Sequence, residues 1–205
     1  FSVFWNSCGQ VFPIILGHVL LGAPAAWAFA KFHFRGKKIL YTLYIVLMLM
    51  PFQVTMVSSY LILNKMGLID TVWAVILPGA ASTLPVFIMT RFFMDIPEAV
   101  MEAAAVDGAS SFQTFLRFGL PLGAPGILSA VVLGFLEYWN AIEASQAFLK
   151  NQALWPLSLY MPNITADNAG VSLIASLITL MPPLLIFLFG QKYLEQGIIS
   201  SGMKD

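Results

Sequence analysis

Residues 168–191 read NAGVSLIASLITLMPPLLIFLFGQ, a run of 24 residues without Asp, Glu, Lys or Arg. A helix that crosses the hydrocarbon core of a bilayer needs about 20 mostly apolar residues. Four other stretches lack charge in the same way, at 1–30, 39–64, 71–90 and 118–136. Each stretch is long enough for one crossing and none is long enough for two. The predicted spanning helices are 10–30, 39–63, 71–91, 121–139 and 170–190.

The composition indicates the same class of protein. Of the 205 residues, 59% are hydrophobic and 10% are charged, whereas soluble domains carry about 25% charged residues. The formal net charge is zero, which argues against nucleic acid as a partner because binding to phosphates needs a basic surplus. One cysteine and two histidines are too few for a typical zinc site. The sequence therefore predicts an all-α membrane protein with five spans, embedded in a lipid bilayer.

The basic residues predict the orientation of the chain. Loops on the cytoplasmic side of a membrane carry an excess of Lys and Arg. Only Lys65 and Lys150 lie in the loops of one side. The other side holds Lys31, Arg35, Lys37, Lys38, Arg91, Arg117, Lys192 and Lys204. We therefore expect a multi-pass protein of a prokaryotic cell membrane, with its N-terminus outside and its C-terminus in the cytoplasm.

The first residues do not look like a signal peptide. Such peptides begin with a basic region, whereas Phe1-Ser2-Val3-Phe4-Trp5 has neither a charge nor an initiator methionine. We expect that the chain begins partway through a longer protein.

The segment between the third and fourth predicted spans carries the most specific pattern. Asp95 is followed three residues later by Glu98, as in a capping box, and Pro97 suits the first turn of a helix. Gly108 suits a helix end, so the pattern predicts a short helix over 97–107. Ser110 begins a second short helix that continues through three phenylalanines.

The faces of this short helix differ in chemistry. Glu98 and Glu102 lie one turn apart on one face. Ala99, Ala103 and Ala104 form a small-residue surface that another backbone can approach closely. From the pattern alone, an amphipathic loop that lies on the membrane surface remains an alternative.

The string Glu102-Ala103-Ala104, followed by Asp107-Gly108-Ala109 and Leu120-Pro121-Leu122, resembles the EAA loop of ABC importer permeases. The match is closest to the maltose-permease-like, carbohydrate-uptake branch of the type I importers. It extends over nearly the whole chain. The other matching stretches are 50–55, 67–71, 91–93, 96–98, 139–140 and 191–197.

This resemblance implies one type I transmembrane domain over 1–205, in a family whose subunit usually has six spans. Residues 95–120 would be the cytoplasmic coupling loop, and its short helix would dock on an ATPase subunit. The residues that the resemblance implies in coupling are Glu98, Glu102, Ala103, Ala104, Asp107 and Gly108. The cytoplasmic tail would be 191–205. Gln196, Gly197 and Gly202 are candidates for a further contact with the ATPase, although the last residues of the tail depart from the family pattern.

The resemblance also implies partners and a task. The chain would be one permease of a heterodimer, acting with two ATP-binding subunits and an extracellular or periplasmic solute-binding protein. The sequence has no Walker A motif or catalytic cluster, so it predicts no enzyme activity and no cofactor on this chain. ATP and Mg would bind the partner ATPase. The expected solute is a sugar or an oligosaccharide.

Polar residues near the spans are candidates for the translocation path because ionisable groups in membrane segments are commonly functional. Glu137, Asn140 and Glu143 have the spacing of one helical face, and Trp139 lies beside them. An interfacial belt of aromatic residues is the alternative. Gln53 and Ser58 follow Pro51, where we expect a kink. They would line a cavity or form hydrogen bonds between helices.

Three rival functions remain open. The first is an ABC permease for another organic solute, such as a glycerol phosphate or a polyol. The second is a secondary transporter, which would call for charged pairs near the midplane that predicted spans two, three and five lack. The third is a membrane enzyme.

Overall fold

The computed structural model describes residues 2–161 and 169–202. Helices occupy nearly all of this part of the chain, and no strand occurs in it. The α-helices are α1 (Ser2–Gly17), α2 (Ala23–Lys31), α3 (Lys37–Leu49), α4 (Phe52–Lys65), α5 (Trp73–Ala80), α6 (Thr83–Met94), α7 (Glu98–Val106), α8 (Ser111–Thr114), α9 (Leu120–Leu122), α10 (Ala124–Asn140), α11 (Glu143–Phe148), α12 (Leu157–Tyr160) and α13 (Ala169–Gly202). The prediction of an all-α fold is confirmed.

Short segments of other helix types join some of these elements. His18–Gly22 and Phe115–Gly119 are π-helical turns, and Gln152–Leu154 is a 3₁₀ turn. The two π-helical turns lie inside longer helical stretches, where such turns frequently mark functional positions.

The described helices include three that are long and apolar enough to cross a membrane alone, and five if each of two bent pairs counts as one span. The unbroken candidates are Ser2–Lys31, Trp73–Met94 and Leu173–Glu195. The bent pairs are Lys37–Leu49 with Phe52–Lys65, and Ser111–Leu122 with Ala124–Asn140. Each of these segments overlaps one of the five predicted spans; the first, third and fifth are continuous, and the second and fourth are interrupted.

Each interruption has a local cause. Pro51 has no backbone N–H to donate, and it adopts an extended conformation immediately before α4, so the helix stops where a kink was expected. In the other pair the helices differ in direction by 69° at Gly123. A Cβ at Gly123 would lie 2.1 Å from Cε1 of Phe93 and 2.9 Å from the carbonyl oxygen of Gly119. Only glycine fits this approach.

The chain divides into two compact units. The first unit comprises Phe1–Leu16, Met50–Ala81 and Leu133–Phe189. The second unit comprises Gly17–Leu49, Ser82–Val132 and Gly190–Asp205. The predicted coupling loop lies in the second unit, and the candidate residues of the translocation path lie in the first.

The second unit has one large apolar core built mainly from α2 and α6. Gly22 and Ala26 make a close seam with α6, since a Cβ at Gly22 would lie 2.8 Å from Cε of Met89. Small residues of this kind let helix backbones approach closely. The buried members of the core are Ala23, Ala26, Trp27, Phe29, Val86, Met89, Phe93, Ile96, Phe115 and Ala130.

The first unit has three smaller apolar clusters. One joins Ile14 of α1 to Val75 and Ile76 of α5 and to Leu149. A second joins Val11 to Phe135 and Trp139. The third packs α11 against α4 and α5; its buried members are Leu63, Ala74 and Phe148.

Candidate functional site

The short helix of the predicted coupling loop is present as α7, which begins at Glu98 and ends at Val106. Pro97 is its N-cap, and no side chain caps the helix. The expected capping box between Asp95 and Glu98 is therefore wrong. The reason is that Asp95 already ends α6 as its C-cap, so it cannot also begin the next helix.

The end of α7 follows the prediction. Gly108 has a φ of +76°, a left-handed conformation that non-glycine residues rarely adopt. Its N–H donates to the carbonyl of Ala105, and the N–H of Ala109 donates to the carbonyl of Ala104. These two bonds form a Schellman motif, which satisfies the last carbonyls of the helix. Gly108 therefore fixes where the chain leaves α7.

One face of α7 packs against its own chain, and the opposite face is exposed. Ala104 is 2% exposed, and Val100 and Met101 pack against the core of the second unit. Ala104 was predicted to lie on the surface that another protein approaches, and its burial shows that this prediction is wrong. Residues three and four apart share one face of a helix, so Ala104 lies with Val100 and Met101 on the face that holds α7 to its own chain.

The opposite face is available for contact. Glu98, Ala99, Glu102 and Ala103 are all exposed, and Val106 is 87% exposed. Asp107 and Gly108 are exposed as well. The result is an acidic ridge next to a shallow surface of small residues, mounted on a helix whose other side is anchored.

The second short helix of the loop starts with a capping box that the sequence analysis did not identify. Oγ of Ser110 accepts from the N–H of Gln113 at 3.3 Å, and the N–H of Ser110 donates to Oε1 of Gln113 at 2.9 Å. Downstream, Phe115 is buried and Phe112 is 67% exposed. The phenylalanines of this segment therefore do not share one environment.

Among the candidates for the translocation path, Gln53 and Glu143 form a direct pair. Nε2 of Gln53 donates to Oε1 of Glu143 at 2.6 Å. Both side chains are exposed on this chain. Gln53 belongs to α4 and Glu143 to α11, and the two helices are held together by edge-to-face packing of Phe52 on Phe148, with ring centroids 5.9 Å apart. Glu143 was predicted beside Asn140, and its pairing with Gln53 was not foreseen.

Glu137, Asn140 and Glu143 do not share one helical face as predicted. Helix α10 ends at Asn140, and Glu143 starts α11. The backbone carbonyl of Ala141 accepts from Oγ of Ser158 at 2.7 Å instead of continuing the helix. Glu137 and Asn140 are exposed, as is Ser58 on α4.

Trp139 does not lie on an open surface. It is 2% exposed, its ring stacks on Phe135 at 5.3 Å, and its Nε1 donates to the carbonyl of Thr179 at 3.0 Å. Trp139 is therefore a packing residue of the first unit in this structure, and its place on the translocation path stays a prediction. A bulky indole with a satisfied N–H is a good residue for packing between helices.

A family model described as a binding-protein-dependent transport system inner membrane component matches residues 18–200. The chain belongs to this family. The matched residues include the coupling loop, the Gln53–Glu143 pair and most of α13. The chain is thus a permease component of an importer that works with a solute-binding protein, as the resemblance in the sequence implied.

Curated relatives of this permease match over nearly its whole length. The arabinooligosaccharides transport system permease of Halalkalibacterium halodurans is 26% identical, over 98% of this chain and 73% of the relative. A probable ABC transporter permease of Pyrococcus horikoshii is 32% identical, over 95% of this chain and 72% of the relative. A putative ABC transporter permease of a Caldicellulosiruptor species is 31% identical, over 100% of this chain and 76% of the relative.

A solved structure has the same fold. It is the crystal structure of a bacterial ABC transporter involved in the import of the acidic polysaccharide alginate. The TM-score is 0.73 at 18% sequence identity, over 99% of the permease described here and 75% of the matched chain.

The permease also has a polar anchor that the sequence analysis missed. Asp70 has a φ of +64°, and its Oδ1 accepts from the N–H of Lys150 at 2.8 Å and from that of Asn151 at 2.7 Å. Its own N–H donates to the carbonyl of Phe148 at 2.9 Å. Asp tolerates the left-handed region better than most residues. The only sequence signal was its place in the stretch 67–71, which matched the family.

Helix α1 also binds this loop, at residues 153–155. Nδ2 of Asn6 donates to the carbonyls of Ala153 and Trp155, and Nε2 of Gln10 donates to that of Leu154 at 2.9 Å. Gln10 is 3% exposed, and a buried amide needs such a partner. Segment 149–157 is therefore a fixed part of the first unit.

The candidate tail residues can be described only in part. Gln196, Gly197 and Gly202 lie within α13. The structure describes only their place in this helix, and residues 203–205 lie outside the described part of the chain. Their predicted contact with an ATPase subunit stays a prediction.

Proposed function

We propose that this permease imports a sugar or an oligosaccharide in an ATP-driven transporter. The structure of α7 supports the part of this proposal that concerns coupling to an ATPase subunit. It is a folded, anchored helix that presents Glu98, Glu102 and Ala103 outward on a loop that ends at a glycine in the left-handed conformation. Two named relatives from Bacillus subtilis transport arabinooligosaccharides and polygalacturonan or rhamnogalacturonan, which supports a saccharide as the solute.

In the proposed mechanism α7 sits in a cleft of the ATPase subunit. The small side chain of Ala103 allows close approach, and the carboxylate of Glu102 meets a basic or polar group of the partner. ATP and Mg bind the partner, so hydrolysis occurs there. Movement of the ATPase pair displaces α7 and α6, which is continuous with it through 95–97, and the path opens to the other side of the membrane. Such a switch needs contacts that differ between two states.

The orientation in the membrane is part of the proposal. Within the described residues, the second unit holds Lys31, Arg35, Lys37, Lys38, Arg91, Arg117 and Lys192, whereas the first holds only Lys65 and Lys150. Basic loops favour the cytoplasmic side. This distribution supports a cytoplasmic location for the coupling loop and the C-terminus, and an outer location for the N-terminus and segment 149–157.

The partners follow from the same mechanism. A second permease completes the path, two ATP-binding subunits drive it, and a solute-binding protein delivers the solute on the outer side. The helix segment Leu173–Glu195 is almost entirely exposed on this chain, with 6% of its most apolar stretch buried. Its apolar surface is suited to lipid or to a second permease, since both are apolar surroundings.

The charges near the path favour a neutral solute over a phosphate. Glu137 and Glu143 are both acidic and exposed. An anionic glycerol phosphate would be repelled by them, because like charges at close range oppose binding. Hydroxyl groups of a sugar or a polyol can donate to carboxylates and to the carbonyl of Gln53. The exposed side chains proposed to line the path are Gln53, Ser58, Glu137, Asn140 and Glu143.

The test uses the complete transporter in proteoliposomes with its loaded binding protein. Glu102→Lys is expected to leave insertion and assembly intact but to lower solute uptake at least tenfold. Arg35→Glu, another charge reversal at an exposed residue of a loop of the second unit, is the control and is expected to retain uptake. Normal uptake in Glu102→Lys would contradict the role of α7. Uptake driven by an ion gradient without ATP would instead identify a secondary transporter.

A further inference from the structure

Lys31 connects two parts of the second unit that are 65 residues apart in sequence. It is the last residue of α2, and its Nζ donates to the backbone carbonyl of Ile96. Ile96 lies between the C-cap of α6 and Pro97, the N-cap of α7. The bond therefore ends on the three-residue connection, 95–97, that positions the start of the coupling helix.

The carbonyl of Ile96 is well suited to a cationic donor. Ile96 lies just beyond the C-cap of α6, and a Lys ammonium near a helix C-terminus offsets the negative end of the helix dipole. The ammonium group of Lys31 also interacts electrostatically with Asp95 and Glu98. It thus faces the last turn of α6 and the first turn of α7 together.

One turn earlier on α2, Trp27 contacts the other side of the coupling loop. Its ring lies 5.3 Å from that of Phe93 on α6 and 5.6 Å from that of Phe115, which follows α8. A Cβ at Gly119 would lie 2.8 Å from Cζ3 of Trp27, so the indole is packed directly on this backbone. The last two turns of α2 therefore contact the chain both before and after α7.

We propose that Lys31 is a positioning residue that makes the first span move together with the coupling helix. This inference rests on the proposed docking of α7 on an ATPase subunit. The sequence connects α7 directly only to the spans on either side of it. Through Lys31 and Ile96, displacement of α7 also pulls the end of α2, and the first span becomes a third moving element of the switch.

Lys37 provides a matched control in the same loop. Its Nζ also donates to a backbone carbonyl, that of Phe32, at 3.0 Å. That bond is local and does not reach the coupling segment. The charge of Lys37 also acts on the ammonium of Lys31, but removal of the Lys37 ammonium leaves the bond from Lys31 to the carbonyl of Ile96 in place.

The experiment measures solute uptake per ATP hydrolysed in the complete transporter, reconstituted with its loaded binding protein. Lys31→Met and Lys31→Gln lose the charge and are expected to lower this ratio about tenfold, the effect of losing one charge-assisted hydrogen bond. Lys31→Arg keeps a charged donor and is expected to stay within about twofold of the wild type. Lys37→Met is expected to leave the ratio unchanged.

The outcomes distinguish a failure of the link through Lys31 from a failure of the proposed docking of α7. An unchanged ratio in Lys31→Met and Lys31→Gln would overturn the inference, and so would an equal loss in Lys37→Met. Loss of assembly in both neutral variants, with Lys31→Arg intact, would assign Lys31 to folding alone and would also overturn it. Glu102→Lys is measured in parallel: if it too leaves uptake unchanged, the proposed docking of α7 fails rather than the link through Lys31.

Discussion

Gln53 and Glu143 lie 90 residues apart in sequence, and Nε2 of Gln53 donates to Oε1 of Glu143 at 2.6 Å. Neither residue is buried by its own chain. A charged group exposed to hydrocarbon would cost several kcal/mol, so this pair must face water, solute or another subunit. The packing of α4 on α11 holds the pair in place, which makes it a preorganised polar surface.

Removal of either member of this pair is expected to slow transport. Gln53→Ala or Glu143→Ala should lower the maximal uptake rate about tenfold, because a hydrogen bond to a charged group contributes about 1.5 kcal/mol at the low end of its range. The rate is measured with saturating loaded binding protein, so that delivery does not limit it. Gln146→Ala, on the exposed side of α11, is the control. Unchanged rates in both variants would remove the pair from the path.

The coupling helix is expected to tolerate no side chain at Gly108. Gly108→Val must place a β-branched residue at a φ of +76°, at a cost of about 1–2 kcal/mol or more, and the exit from α7 would shift. Uptake per ATP should therefore fall. Gly36 has a φ of +85° in another loop of the same unit, and Gly36→Val introduces the same kind of strain away from α7. Equal losses in both variants would show that strain, rather than the geometry of coupling, causes the effect.

Asp70 is expected to protect the backbone of its partner loop from hydrogen exchange. In Asp70→Gly the left-handed conformation is retained but both acceptor bonds are lost, so exchange at the amides of Lys150 and Asn151 should accelerate about tenfold or more. Asp70→Asn keeps one acceptor oxygen and should have a smaller effect. Amide exchange measured by mass spectrometry resolves this segment. Unchanged exchange in Asp70→Gly would mean that the carboxylate of Asp70 does not hold the loop.

Local sequence patterns were enough to predict the spans and the coupling helix. The absence of charge located the three continuous candidate spans and the two bent helix pairs, because charges are costly within lipid at any position along a span. Gly108 was likewise predictable, since a helix end in the left-handed conformation needs glycine whatever surrounds it. These features depend on residues that are close together in sequence.

Apart from the local capping box of Ser110 and Gln113, the features that were missed depend on distant partners. The pairing of Gln53 with Glu143, the clamp of Asp70 and the bond from Lys31 to Ile96 each join residues at least 65 positions apart. The burial of Ala104 and Trp139 is of the same kind, because exposure depends on what packs against a helix face. A single sequence carries no signal for such contacts beyond the chemistry of each residue.

In the second unit, α13 contacts α10 where Gly190 packs on Val132. A Cβ at Gly190 would lie 2.3 Å from Cγ2 of Val132 but 3.3 Å from its Cβ. Gly190→Ala should therefore destabilise the protein by about 2 kcal/mol, as overpacking commonly does, and lower its melting temperature by roughly 4–8 °C. Adding Val132→Ala removes the clashing methyl groups, so the double variant should recover at least half of that loss.

Gly170 supplies the control for this experiment. It lies on α13 as well, and no atom lies within 4 Å of a Cβ placed there. Gly170→Ala should leave the melting temperature unchanged or raise it slightly, because alanine favours a helix over glycine by about 1 kcal/mol. Melting is followed on the purified protein in detergent. If Gly190→Ala is as well tolerated as Gly170→Ala, then α13 does not pack on Val132 and the helix contact described here is wrong.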